Sequence, residues 1–74
     1  GVLFVTCNED PCRVTLPGGQ TEDAPINGVR SAAGVVQVKG GSGRSTKRFQ
    51  VTFKSDDDVV RLKANTEDGT IRRE

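Results

Sequence analysis

The chain of 74 residues contains no histidine, tyrosine, tryptophan or methionine. Without histidine there is no usual general base, no commonest metal ligand, and no Ser-His-Asp or Cys-His arrangement. Without tyrosine and tryptophan there are no large stacking platforms for sugars or single-stranded bases. Phe4, Phe49 and Phe53 are the only aromatics and hydrophobic residues make up 32% of the chain, so a core must come from Val, Leu and Ile. No apolar run approaches the roughly 18 residues that suggest a membrane-spanning helix. Asn-x-Ser/Thr sequons are absent too, which leaves N-glycosylation without an acceptor. Gly1 at the start, with no methionine anywhere, reads as a processed product or an excised domain.

Cysteine is scarce but placed. Cys7 and Cys12 enclose Asn8, Glu9, Asp10 and Pro11, residues that favour turns over strands. If these four form a hairpin loop, Cys7 lies opposite Cys12, Val5 opposite Val14 and Leu3 opposite Leu16. The period-two alternation of a strand then gathers all six on one face, leaving Val2, Phe4, Thr6, Arg13 and Thr15 on the other. The expectation is an N-terminal hairpin clamped by a Cys7–Cys12 disulfide, whose small loop contributes roughly 2 kcal/mol. A redox pair would come as C-x-x-C beside a helix, and zinc would need two further ligands; the pair reads as structural, with no metal and no cofactor. A disulfide in a domain this small points to an oxidising compartment: secreted, periplasmic or cell-surface.

No segment shows apolar residues at helical spacing. Pro17-Gly18-Gly19 ends the second strand, and Gln20–Ala24 reads as a polar loop. Ile26-Asn27-Gly28-Val29 contains the strongest two-residue turn signal and reads as a tight bend between short strands. Gly34–Lys39 places Val36 and Val38 on one face, with Val35, Gln37 and Lys39 on the other. Gly40–Thr46 is a Gly- and Ser-rich loop. Lys47–Lys54 alternates throughout, with Phe49, Val51 and Phe53 on one side. After a turn over Ser55–Asp58, Val59–Ala64 forms a strand with Val60, Leu62 and Ala64 inward. Thr66-Glu67-Asp68-Gly69 fits a four-residue hairpin loop with Gly in the left-handed position, setting Ala64 opposite Ile71 and Lys63 opposite Arg72. The fold class expected is all-β: one domain over residues 1–74, a small antiparallel sandwich or barrel of six to seven short strands.

Candidate chemistry is thin. The carboxylate pairs Glu9-Asp10, Glu22-Asp23 and Glu67-Asp68 fall in predicted turns, and Asp56-Asp57-Asp58 lacks the D-x-D-x-D-G spacing of an EF-hand calcium loop. Gly40–Thr46 fails the phosphate-loop pattern, with Val38 and Arg44 where Gly and Lys are required and a strand where a helix must follow. The chain reads as non-catalytic.

One pattern remains. Nine of the ten acidic residues lie in predicted turns, whereas the basic ones fall largely on outward strand positions. If the strands from Val35 onward are neighbours, Lys39, Arg48, Lys54, Arg61, Lys63 and Arg72 share a basic surface beside Arg44 and Lys47. The formal net charge of +1 conceals this segregation. Lysine and arginine in such places also discourage edge-to-edge aggregation. The foremost expectation is an extracytoplasmic protein-interaction module, such as an adhesin, receptor, effector or assembly-factor domain, binding a protein partner. The alternative is a binder of an acidic polymer, glycan or nucleic acid, through the basic face. A third is a small inhibitor or toxin acting through the 40–46 loop.

Overall fold

Two four-stranded sheets enclose a core made mostly of Val and Leu. The computed structural model describes residues 1–74 and contains eight strands, more than the six to seven expected: β1 (Val2–Cys7), β2 (Cys12–Thr15), β3 (Thr21–Asp23), β4 (Ile26–Arg30), β5 (Gly34–Gly40), β6 (Phe49–Val51), β7 (Val59–Asn65) and β8 (Thr70–Arg73). The first sheet has the order β4-β1-β7-β8 and the second β3-β2-β5-β6. All pairings are antiparallel except β1 with β7, which is parallel.

The expected N-terminal hairpin does not form. β1 pairs with β4 and β7, while β2 pairs with β3 and β5. The Cys7–Cys12 disulfide is present, and it joins one sheet to the other. Its Cα atoms are 6.5 Å apart, closer than the roughly 10 Å between stacked sheets, so the two layers converge at this end. The alternation that suggested a hairpin survives the change of partner. Leu3 and Val5 point into the core from one layer, and Cys12, Val14 and Leu16 from the other. Local pattern fixed the inward face; it did not fix which strand lies alongside.

Three further expectations change. Gln20–Ala24 holds β3, an edge strand whose three residues are all exposed. Its polar composition gave no alternation, because an edge with neither face buried needs none. The Lys47–Lys54 strand contracts to β6. Thr46 and Lys47 instead bond to different layers, Thr46 N–H to Val38 O and Lys47 N–H to Gly69 O, each at 2.8 Å. This segment therefore crosses between the layers before β6 begins.

The Asn27-Gly28 signal marks a bulge inside β4 and no turn. Leu3 pairs with Val29 and Phe4 with Asn27, which leaves Gly28 as the extra residue, at φ +85°. Glycine is the residue that adopts this conformation without strain. The insertion shifts the alternation by one, so Ile26 and Val29 face the core while Asn27 and Arg30 face out.

The β7–β8 hairpin follows the expected register, with Ala64 opposite Ile71 and Lys63 opposite Arg72. Its loop is held by Asn65 Oδ1, which accepts the Glu67 N–H at 2.9 Å, and Gly69 sits at φ +74°. No helix is long and apolar enough to cross a membrane.

Candidate interaction surface

Directly opposed residues in a sheet point to the same side, so the register of the first sheet defines its outer face. Val2 lies between Arg30 and Val59, Phe4 between Asn27 and Arg61, and Thr6 beside Lys63, which is itself opposite Arg72. Four cations, Arg30, Arg61, Lys63 and Arg72, thus share one face with Val2, Phe4 and Val59. Val59 is 44% exposed, the one large hydrophobic residue in the chain left open to solvent.

The Phe4 ring organises the middle of this face. The Arg61 guanidinium carbon lies 4.2 Å from the ring centroid, a cation–π contact that holds the side chain against the sheet. On the strand beyond, Gly28 lies against the same ring: a Cβ there would come within 3.1 Å of Phe4 Cζ. None of the four cations makes an ion pair. The one ion pair in the chain is Arg13 Nη1 to Asp23 Oδ1 at 3.4 Å, on the second sheet. Arg30 donates to the backbone oxygen of Asp56 at 2.9 Å and has no carboxylate partner.

The eight basic positions singled out from the sequence do not form one surface. Arg61, Lys63 and Arg72 come together on the first sheet. Lys39, opposite Arg13, lies on the outer face of the second sheet, and Arg48 stands beside Val35 and Gln37 on that same side. Arg44 is in the 40–46 loop, Lys47 at the crossing between layers, and Lys54 in the turn closed by its N–H bond to Asp58 Oδ2 at 2.9 Å. The strands from Val35 onward divide as β5 with β6 and β7 with β8, and this division separates the charges. Neither the place of Arg30 on this face nor the supporting role of Phe4 is legible in the sequence. Simple alternation from Ile26 turns position 30 inward; only the bulge at Gly28 turns it out.

At the disulfide end a second group of side chains fastens the loops. Asn8 Oδ1 accepts the Thr66 N–H at 2.8 Å. The Glu9 carboxylate accepts the Thr66 hydroxyl, together with the Ser42 N–H and hydroxyl, each at 3.0 Å. The disulfide-closed loop therefore holds both the 40–46 loop and the β7–β8 turn. These bonds stabilise the ionised carboxylate, and the Thr66 hydroxyl, followed by the Ser42 N–H, holds the Glu9 pKa below its ordinary value. Asp58 is lowered in the same way, first by the Lys54 N–H, and Asp68 first by the Thr70 hydroxyl.

Cys7 and Cys12 are both committed to the disulfide, and no free thiol remains. His, Cys, Asp and Glu side chains nowhere form a group of three that could hold a metal ion. The depression beside the disulfide, lined by Thr6, Cys7, Glu9, Asp10, Ala24 and Pro25, is open to solvent. No family model, curated protein or solved structure matches the chain.

Proposed function

We propose that this chain is a non-catalytic interaction module of an extracytoplasmic compartment, and that it binds a protein partner through the outer face of the β4-β1-β7-β8 sheet. The observation that carries the reading is the composition of that face: Arg30, Arg61, Lys63 and Arg72, none of them in an ion pair, set around Val2, Phe4 and Val59. Arginine and aromatic residues are the types that dominate protein interfaces. The disulfide between the layers supports residence in an oxidising environment.

The partner is expected to present carboxylates, since a partner lacking them would leave desolvated cations unpaired. An acidic polymer is the second reading, favoured by the close grouping of Arg61, Lys63 and Arg72. Capture from a secreted or periplasmic fraction at low and high salt separates the two. Charge reversal by Arg61→Glu with Lys63→Glu is expected to weaken capture of a protein in both conditions. Retention of an acidic polymer alone, lost steeply as salt rises, would favour the second reading. Capture indifferent to the charge reversal would overturn both.

A further inference from the structure

A two-layer fold of this size has four sheet edges, and three of them carry a feature that discourages pairing. β3 and β6 have three residues each, and β3 also carries Glu22 and Asp23. β4 is interrupted by the Gly28 bulge; short, charged or bulged edges are the usual protections against strand addition. β8 has four regularly paired residues and neither a bulge nor a proline. The crossing segment reaches only its start, where Lys47 N–H bonds to Gly69 O at 2.8 Å; from Ile71 to Arg73 the protection is charge, and charge of one sign selects a partner as well as repelling one.

The hydrogen-bond phase of β8 shows what its edge offers. Glu74 N–H donates to Arg61 O at 2.9 Å, which makes 61 and 74 a hydrogen-bonded pair. With the observed register, the alternation of an antiparallel ladder makes Lys63 with Arg72, and Asn65 with Thr70, the next such pairs. The N–H and C=O groups of Ile71 and Arg73 therefore point away from β7, and neither residue makes a turn or loop bond. A strand laid antiparallel along β8 would bond to Ile71 and Arg73. Its residue opposite Arg72 would project onto the outer face, with Cβ atoms about 5 Å apart.

We propose that the β8 edge accepts an extended acidic protein segment as a fifth strand of the first sheet, with carboxylates at alternate positions beside Arg72 and its neighbours and apolar residues between them. The edge supplies main-chain bonds and the adjoining cationic face supplies selectivity, the usual division in strand addition. This rests on the function proposed above and names the partner's chemistry.

The test uses an eight-residue peptide alternating Glu and Val, and a control of the same composition with four Glu followed by four Val. Titration is followed by calorimetry and by amide signals of the protein. The alternating peptide is expected to bind, to protect the Ile71 and Arg73 amides from exchange, and to outcompete the block control. Arg72→Glu is expected to weaken it about tenfold, by replacing an attractive cross-strand pair with a repulsive one.

The decisive comparison is Arg73→Pro against Arg73→Ala. Both remove the same charge, but only proline removes the outward N–H, which β7 does not use. Matching thermal unfolding of the two variants shows that the fold is intact. Proline is expected to cost about tenfold in affinity relative to alanine, from one lost bond and its unpaired acceptor. Equal affinities for the two variants, equal binding of the two peptides, or no binding at about 1 mM would overturn strand addition. So would tighter binding of a sulfated oligosaccharide, or self-association of the free protein that Arg73→Pro abolishes. Partner capture that still responds to Arg61→Glu with Lys63→Glu, but is indifferent to Arg73→Pro, removes the edge and leaves the interaction module standing.

Discussion

Reduction of the Cys7–Cys12 bond removes no side chain, so its effect isolates the cross-link. Six residues from Cys7 to Cys12 are closed by it, and the chain-entropy relation gives about 2 kcal/mol for a loop of that size. A chain of 74 residues has a total stability of roughly 4–11 kcal/mol, so this is a large share. The expected fall in melting temperature is roughly 8–16 °C, measured by circular dichroism with and without reductant. Cys7→Ser should reproduce it, because Cys12 is buried and its freed thiol remains a small apolar group. Location of the effect separates an inter-sheet link from a hairpin clamp. Amide exchange should accelerate in β1 and β2, and in their separate partners β7 and β5, since the bond ties the two layers. Faster exchange confined to one sheet, or a melting temperature shifted by less than about 3 °C, would refute the assignment of the bond as the link between layers.

Gly28→Ala forces a side chain into the left-handed conformation and against the Phe4 ring. A loss of about 1–2 kcal/mol is expected in urea denaturation, with shifted Phe4 ring and Arg61 signals. Thr46 is buried, and its hydroxyl accepts the Val38 N–H at 3.0 Å. Thr46→Val leaves that donor unpaired and should cost about 1–3 kcal/mol, whereas Thr46→Ser, which keeps the hydroxyl, should recover most of the loss. Glu9, Asp58 and Asp68 all have folded-state pKa values below their ordinary ones. Their contribution is fully present above the ordinary carboxylate range and is lost as pH falls through the lowered folded values. Stability should therefore be flat from neutral pH down to about 5 and decline below it. Glu9→Gln, followed by denaturation across that range, should make the acid decline shallower.

Strands with one buried face were legible because alternation needs only local information. Val36 and Val38, and Val60, Leu62 and Ala64, occupy the core positions assigned to them, and the 66–69 loop fixed the β7–β8 register through its own turn chemistry. The fully exposed β3 carried no such signal. The bulge in β4 is not legible because Asn-Gly serves equally well in a two-residue turn and at a bulge that requires positive φ. The basic surface was legible as outward charges but not as a single patch. Lys39 and Lys63 alternate in the same way along their strands, and nothing local distinguishes the sheet to which each belongs.

By itself, the sequence determined the all-β class, the inward faces of the principal strands and the pairing of its two cysteines. These follow from side-chain alternation, turn-forming residues and the availability of only two thiols. Tertiary structure decided that β1 and β2 belong to different layers, that β1 runs parallel to β7, and that Arg30 joins Arg61, Lys63 and Arg72 around Phe4. An inward face can be buried by a neighbouring strand's layer or by the layer opposite, and its pattern is the same in both cases. Only the competition among all eight strands for partners and for a shared core selects between them.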